Sequence, residues 1–252
     1  MTTPTILSLF GTVIIGAITG ALVRYLADVL PGRRVWGKLS CPHATTTSTV
    51  KWMFLGERCK ECGVNEPWRF WGTVAFYAAA SGALYWFGIR HISYGYALLL
   101  LFYLGVVFWI DVEYRAILHE TSLFGALYCF YLGWLQHGIL NTLIGLLIGV
   151  GFFGLFYLIG ILFMKIMSRI RKMTIEETAL GFGDMILAGI LGSVLGYPII
   201  IPGLLLAILM AGGFALMILI IQKANKRYQE FTAFAYGPFL IIASIVMLIL
   251  QK

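Results

Sequence analysis

The chain has 252 residues, of which 60% are hydrophobic and only 12% are charged, whereas about a quarter of the residues of a soluble domain carry a charge. Its mean hydropathy is +0.91 and its formal net charge is +7 at pH 7. These values exclude an ordinary soluble domain and predict an all-α polytopic protein whose main partner is the lipid bilayer.

Eight apolar runs are long enough to cross a hydrocarbon core of about 30 Å as helices. Their predicted bounds are roughly 6–29, 71–89, 94–112, 121–138, 140–164, 179–197, 199–221 and 233–250. The polar stretch after the first run holds three of the four cysteines and is predicted to be a small extramembrane domain. We therefore assign residues 1–30 to the first transmembrane helix, 31–70 to a cysteine-containing loop domain and 71–252 to a core of membrane helices.

The distribution of basic residues predicts the orientation of these helices. When the 31–70 loop is placed in the cytoplasm, all 18 Lys and Arg residues except Arg90 and Lys252 fall on the cytoplasmic side. The positive-inside rule expects this asymmetry, so we predict a multi-pass protein of the cell (inner) membrane with its N-terminus outside. Anionic lipid head groups satisfy basic clusters at helix ends, so no nucleic-acid partner is expected.

The first apolar run is expected to remain as a helix. It is preceded only by MTTPT, which has no Lys or Arg, and no small-residue cleavage site follows it. These features do not fit a cleaved signal peptide.

Glycines recur four residues apart in three of the predicted helices. The pairs are Gly16 with Gly20, Gly145 with Gly149, and Gly192 with Gly196. Small residues at this spacing let two helix backbones approach closely, so the pairs predict helix packing surfaces.

Two aspartates lie within the apolar runs. Asp111 is near the end of the third run, in LGVVFWIDVEYR, and Asp184 is in the first turns of the sixth, in ETALGFGDMILAGILG. A carboxylate at membrane depth is costly and usually lines a cavity, pairs with another group or performs chemistry. For Asp111 the alternative is an acid at a helix end that reaches the membrane surface.

The predicted topology places Asp111 and Asp184 in the same leaflet, because the third helix ends on the cytoplasmic side and the sixth begins there. At about 1.5 Å per residue, their depths differ by only a few Å. Two carboxyls brought together in a poorly solvated site share a proton, so one serves as a base and the other as an acid. Such a pair can activate water against a peptide carbonyl without a covalent intermediate. Gly181 and Gly183 would leave room for a substrate backbone beside Asp184.

Several segments resemble those of a known family. They are GFGD, IDVEYRAIL, LGFGDMILAGILGSVLG, AFAYGPFLIIAS, TGALVRYLADVLP, and CPHA together with GERCKECG. GFGD resembles the GxGD motif of membrane aspartic peptidases, and the whole set resembles the prepilin (type IV leader) peptidase family in order and topology. The resemblance implies that Asp111 and Asp184 are catalytic. It also implies that the substrates are type IV prepilins or pseudopilins, cut at the cytoplasmic membrane face.

The chain departs from the family pattern near both aspartates. It has Glu113, Leu118 and His119 where the family often has a second Asp and a Pro-Asp pair, and Ile186 where a lysine is common. Neither departure removes a catalytic carboxyl, so the reaction class is retained while the substrate preference stays open.

The cysteine loop predicts a structural zinc site with an incomplete set of thiolates. Cys59 and Cys62 form one CxxC pair, whereas Ala44 replaces the second thiolate of the pair that begins at Cys41. His43 would complete a set of three Cys and one His. Three unligated cysteines in a degenerate loop are the alternative.

The resemblance also implies a second activity, because many family members with this loop methylate the new amino terminus with S-adenosylmethionine. The corresponding segment here, WRFWGTVAF, keeps Arg69 but has no acidic residue after it. Methyl transfer is therefore left open.

Two other classes of protein fit the same helices and acids. A cation-coupled transporter uses paired aspartates to bind cations or relay protons, but the inverted repeats that would favour it are not evident. A non-catalytic scaffold of a pilus or secretion assembly would show the same carboxyls. The oligomeric state is not determined by the sequence.

Overall fold

The structure, a computed structural model, describes residues 6–33, 67–89, 92–171, 181–224 and 235–251. Within these ranges the chain forms helices and no strand, so the all-α prediction is confirmed there. The helices are α1 (Ile6–Arg33), α2 (Pro67–Phe87), α3 (Tyr94–Tyr114), α4 (His119–Arg171), α5 (Phe182–Leu195), α6 (Ile200–Ala224) and α7 (Gly237–Leu250).

Four of the described helical stretches are long and apolar enough to cross a membrane, namely Ser8–Pro31, Tyr94–Tyr114, His119–Leu162 and Ile200–Lys223. Helices α5 and α7 are apolar but shorter. The backbone of α4 leaves helical geometry at Gly138 (φ 82°, ψ 164°), a conformation that suits glycine. This break lies at the predicted boundary between the fourth and fifth apolar runs. A polytopic protein is confirmed, while the number of eight spans stays a prediction.

The chain divides into two compact units, Met1–Tyr114 and Arg115–Lys252. The first contains α1, α2 and α3, and the second contains α4 to α7. Most of the predicted 31–70 loop domain lies outside the described residues, so its fold stays a prediction.

In the first unit, α1 packs closely against α2 through two glycines. A Cβ atom on Gly16 would meet the carbonyl oxygen of Tyr77 and the side chain of Ser81, and one on Gly20 would lie 2.9 Å from the Tyr77 Cβ. The Ser81 hydroxyl adds a hydrogen bond to the carbonyl oxygen of Thr12 at 2.6 Å. The packing predicted for Gly16 and Gly20 is confirmed.

Tyr77 also joins α2 to α3. Its hydroxyl donates to the carbonyl oxygen of Leu101 at 2.9 Å, and it occupies the space that a side chain on Gly105 would need. A buried hydroxyl needs such a partner, so this bond helps to set the position of α3 against α2.

In the second unit, α5 packs against α4 by backbone contact. A Cβ atom on Gly145 would meet the carbonyl oxygen of Gly192 and lie 2.8 Å from the Gly196 Cα, while one on Gly149 would meet the carbonyl oxygen of Ala188. The contact is reciprocal, because a Cβ atom on Gly192 would meet the carbonyl oxygen of Gly145. The predicted packing of both glycine pairs is confirmed.

Candidate active site

Asp111 lies in the last turn of α3 and is buried, with 4% of its surface exposed. It continues a buried stripe at helical spacing, formed by Leu100, Leu104 and Val107. The helix runs on to Tyr114, slightly beyond the predicted end, so Asp111 is three residues from the terminus. The Asp111 carboxyl therefore lies in line with the apolar stripe of α3 and is buried within the first unit.

A charged cluster in the same unit includes Glu113, which follows Asp111 by two residues on α3. We call it the Arg24 cluster, and it consists of Arg24, Asp28, Arg69 and Glu113. The Arg24 guanidinium lies 2.6 Å from a Glu113 carboxylate oxygen and 3.3 Å from one of Asp28, and Arg69 is 3.8 Å from the same Glu113 oxygen. Arg24 is 1% exposed, and its Cζ is 4.9 Å from the centre of the Trp109 ring. The close contact between Arg24 and Glu113 lacks hydrogen-bond geometry, so its attraction is coulombic.

Sequence reasoning missed this cluster. It counted Arg24 among the basic residues of the cytoplasmic side and named Glu113 only as a departure from the family pattern. The available signal was the position of Arg24 inside the first apolar run, because an ionisable residue there usually has a partner.

Asp184 is the third residue of α5 and is 9% exposed. One of its carboxylate oxygens accepts a hydrogen bond from the backbone N–H of Gly181 at 3.1 Å, and its own N–H donates to the Gly181 carbonyl at 3.1 Å. A carboxylate in this position caps the helix and interacts favourably with its positive end. The sequence analysis correctly placed Asp184 in the first turns of its helix.

Tyr236 lies near Asp184 and belongs to a different part of the second unit. It directly precedes α7, and its hydroxyl group interacts electrostatically with the Asp184 carboxylate. Its ring lies against that of Phe153 in α4, with the ring centres 5.4 Å apart. Tyr236 therefore connects this carboxyl to the start of α7 and, through its ring contact with Phe153, to α4.

The two glycines of GFGD have different surroundings. Gly181 is exposed, and a Cβ atom there would meet the Asp184 carboxylate at an ordinary 3.5 Å. A Cβ atom on Gly183 would instead lie 2.9 Å from the Cβ of Ile117. The backbone is therefore open, as predicted, only at Gly181, because Ile117 occupies the space beside Gly183.

The remaining predicted site residues fall into two groups. Asp111 belongs to the first unit and Asp184 to the second, so their pairing stays a prediction. Cys41, His43, Cys59 and Cys62 lie outside the described residues, so the zinc site also stays a prediction. The described residues contain no group of three or more His, Cys, Asp or Glu side chains arranged to hold a metal ion.

The fold and these carboxyls define a polytopic helical membrane protein that buries one acid near a helix end in each of its two units. Residues 98–216, which include both acids, match the sequence profile described as the type IV leader peptidase family.

A similar curated protein is the prepilin leader peptidase/N-methyltransferase of Pectobacterium carotovorum subsp. carotovorum. It is 25% identical over 225 residues, covering 86% of this chain and 75% of the relative. No solved structure matches the chain. These two matches confirm the resemblance to the prepilin (type IV leader) peptidase family that the sequence showed.

Proposed function

We propose that the chain is an aspartic endopeptidase of the inner membrane that removes the leader peptide of type IV prepilins or pseudopilins. Asp111 and Asp184 are its catalytic pair. One observation carries the proposal: the two aspartates in the family-matched region 98–216 are each buried near a helix end. The matches to this family support a peptidase with prepilin substrates.

The surroundings of Asp184 suggest how the two carboxyls divide the chemistry. The Gly181 N–H and the N-terminal turn of α5 both stabilise a negative charge on Asp184. We therefore assign Asp184 as the base that takes a proton from water as the water oxygen attacks the scissile carbonyl. Asp111 then holds the shared proton and donates it to the carbonyl oxygen. Collapse of the tetrahedral intermediate breaks the C–N bond: the amine leaves with the proton that Asp184 took from water, and Asp111 takes back a proton from a hydroxyl group of the intermediate.

Chain connectivity supports cooperation between the two motifs. Ile117 is part of the segment IDVEYRAIL that contains Asp111, and it packs against Gly183, the residue before Asp184. Asp111 and Ile117 are six positions apart in the sequence, which a fully extended chain can span over at most about 20 Å. The contact of Ile117 with Gly183 lies within the second unit, and Asp111 precedes it along the chain.

Co-expression with a candidate prepilin, followed by a gel assay for leader removal, tests the proposal. We expect Asp111→Asn and Asp184→Asn each to abolish cleavage while expression and membrane insertion persist, because Asn keeps the size but cannot exchange the proton. The double variant should be no worse than either single variant, because the two carboxyls act as one unit.

The control is Glu120→Gln, an exposed acid at the start of α4, which should cleave normally. Glu113→Gln is not a neutral control, because Glu113 pairs with Arg24. Cleavage near the parental rate by either Asp variant would contradict the aspartic mechanism. Partial activity in each single variant, with a further loss in the double, would favour the two independent cation sites of a transporter.

We also propose that Cys41, His43, Cys59 and Cys62 bind a structural zinc ion. Elemental analysis should then find about one zinc per chain, and Cys59→Ser should release it, as expected for a closed set of four ligands. Metal-free protein of full stability would contradict the site. The mass of the mature product in the cleavage assay reports separately whether its new amino terminus receives a methyl group from S-adenosylmethionine.

A further inference from the structure

We propose that Arg24 is a positioning residue for Asp111, acting through its ion pair with Glu113 and its stacking on Trp109. This inference rests on the proposed function, in which Asp111 is catalytic. Arg24 is in α1, whereas Trp109, Asp111 and Glu113 are all in the last turns of α3. One side chain of α1 therefore contacts α3 on both sides of the catalytic position in the sequence.

The helical spacing shows how this contact acts. Trp109 and Glu113 are four residues apart and lie on one face of α3, where Arg24 contacts both. Asp111 is two residues from each of them and so projects from the opposite face. Arg24 consequently acts on Asp111 through the helix that carries it. Fixing one face of the last turns of α3 fixes the direction in which the other face presents its carboxyl.

The burial of Arg24 indicates that this contact does more than fill space. A guanidinium removed from water is costly, and an apolar side chain of similar volume would pack α1 against α3 without that cost. Apolar contacts tolerate small rotations and shifts of a helix. An ion pair at 2.6 Å, with the same guanidinium stacked on an indole, restricts both movements. The cluster is therefore less stabilising than apolar packing would be, but it holds α3 in a defined position.

The other charges of the cluster restrain the same helix end. Asp28 holds Arg24 from one turn along α1, at 3.3 Å, and Arg69 brings α2 to the Glu113 carboxylate, at 3.8 Å. These four side chains carry two positive and two negative formal charges. All three helices of the first unit thus meet at Glu113, two residues from Asp111. A catalytic group displaced by about 1 Å can cost roughly 100-fold in rate, so such a restraint has a catalytic consequence.

The test is a kinetic series on the full-length protein in detergent with a purified prepilin. Arg24→Met should lower kcat by about 10-fold or more with KM nearly unchanged, because a misplaced Asp111 slows the chemical step without weakening binding. Arg24→Lys keeps the charge but loses the planar stacking group, so its kcat should lie between those of Arg24→Met and the parent. Asp28→Asn removes the partner of Arg24 on its own helix and should cause a smaller fall than Glu113→Gln.

The pH dependence of kcat separates positioning from a loss of folded protein. Arg24→Met removes the positive charge that pairs with Glu113, two residues from Asp111, and should move the acidic limb of the rate profile to higher pH. Glu113→Gln removes a negative charge and should move it to lower pH, and the double variant should return close to the parental profile. If a substitution only reduced the amount of folded protein, the rate would fall by the same factor at every pH and the profile would not shift along the pH axis.

Each outcome decides a different claim. The positioning role would be overturned if Arg24→Met left kcat unchanged. It would also be overturned if kcat fell in both Arg24→Met and Glu113→Gln without a shift of the pH profile in either. Both results would leave the peptidase proposal intact. Cleavage by Asp111→Asn would instead overturn the proposed function. If Arg24→Met does not fold, Arg24→Lys and Glu113→Gln provide the test. The parental kcat in both of these variants would contradict the positioning role of Arg24.

Discussion

The helices that carry Asp111 and Asp184 are held in place by different kinds of contact. In the first unit, the helix that carries Asp111 also contributes Glu113 to the Arg24 cluster, in which charged side chains from three helices meet. In the second unit, α5 is held against α4 by glycines whose backbones touch, and Gly183 directly before Asp184 is covered by Ile117. The first arrangement depends on paired charges, and the second depends on the absence of side chains.

This difference determines which substitutions each unit tolerates. A buried ion pair can be exchanged for apolar residues if both partners change, but losing one partner leaves an uncompensated charge. A backbone contact has no such compensation, because a Cβ atom at the contact must displace a whole helix. We therefore expect strong coupling between positions of the Arg24 cluster and strong intolerance at single glycines of the α4–α5 contact.

Gly145→Leu should have the largest effect on folding. Its side chain would meet the Gly192 carbonyl and the Gly196 backbone, so α5 would have to move away from α4. We expect a loss of well over the 1 to 3 kcal/mol of ordinary overpacking, seen as little folded protein after detergent extraction. Gly151→Leu is the matched control, because nothing lies within 4 Å of its Cβ position in the same helix. Equal yields of both variants would show that α4 and α5 are not in backbone contact.

Arg24→Met should have the next largest effect on stability. It leaves Glu113 and Asp28 without their nearest cation, at a cost of about 3 kcal/mol in the free energy of unfolding. Adding Glu113→Gln should recover part of this loss, because the second change removes one of the uncompensated charges. Thermal unfolding of the single and double variants in detergent measures the coupling. Additive losses would mean that the two side chains do not interact.

Gly183→Ala tests the local packing beside Asp184. The new methyl group would crowd the Ile117 side chain, so we expect a loss of about 1 to 3 kcal/mol and a lower rate of leader cleavage. Gly181→Ala should leave the free energy of unfolding nearly unchanged, because the position is exposed and its backbone is extended at φ −80°. Ile117→Ala combined with Gly183→Ala should restore part of the loss. A loss of stability in Gly181→Ala but not in Gly183→Ala would contradict the conclusion that the backbone is open at Gly181 and packed at Gly183.

Features that repeat along the chain could be predicted from the sequence. Apolar runs gave the helices, the four-residue glycine spacing gave the packing surfaces, and the GFGD segment placed Asp184 in the first turns of α5. Each of these signals is local and periodic. The break at Gly138 could also be predicted, as the boundary between two apolar runs, although the residues on both sides of it are helical.

Contacts between distant residues could not be predicted in the same way. Arg24 and Glu113 are far apart in the sequence, and neither has a spacing that indicates the other as its partner. Ile117 likewise has no feature that predicts its contact with Gly183. Such pairs depend on the rotation of each helix about its axis, which an apolar run that is hydrophobic on all sides does not determine.

The smallest effect is expected at the turn that follows Asp111. Arg115 adopts a left-handed backbone conformation with φ 51°, which costs an L-residue roughly 1 to 2 kcal/mol. Arg115→Gly removes this cost but gives the unfolded chain more freedom, so we expect a net gain of less than about 1 kcal/mol. Arg115→Asn should be close to neutral, because Asn tolerates this conformation and, like Gly, removes the charge. Arg115→Val should lose stability, because a β-branched side chain is strained at positive φ. Thermal unfolding should therefore rank Gly at or above Asn and Val last. A clear loss of stability in both Gly and Asn would show instead that the Arg115 side chain makes contacts that outweigh its backbone strain.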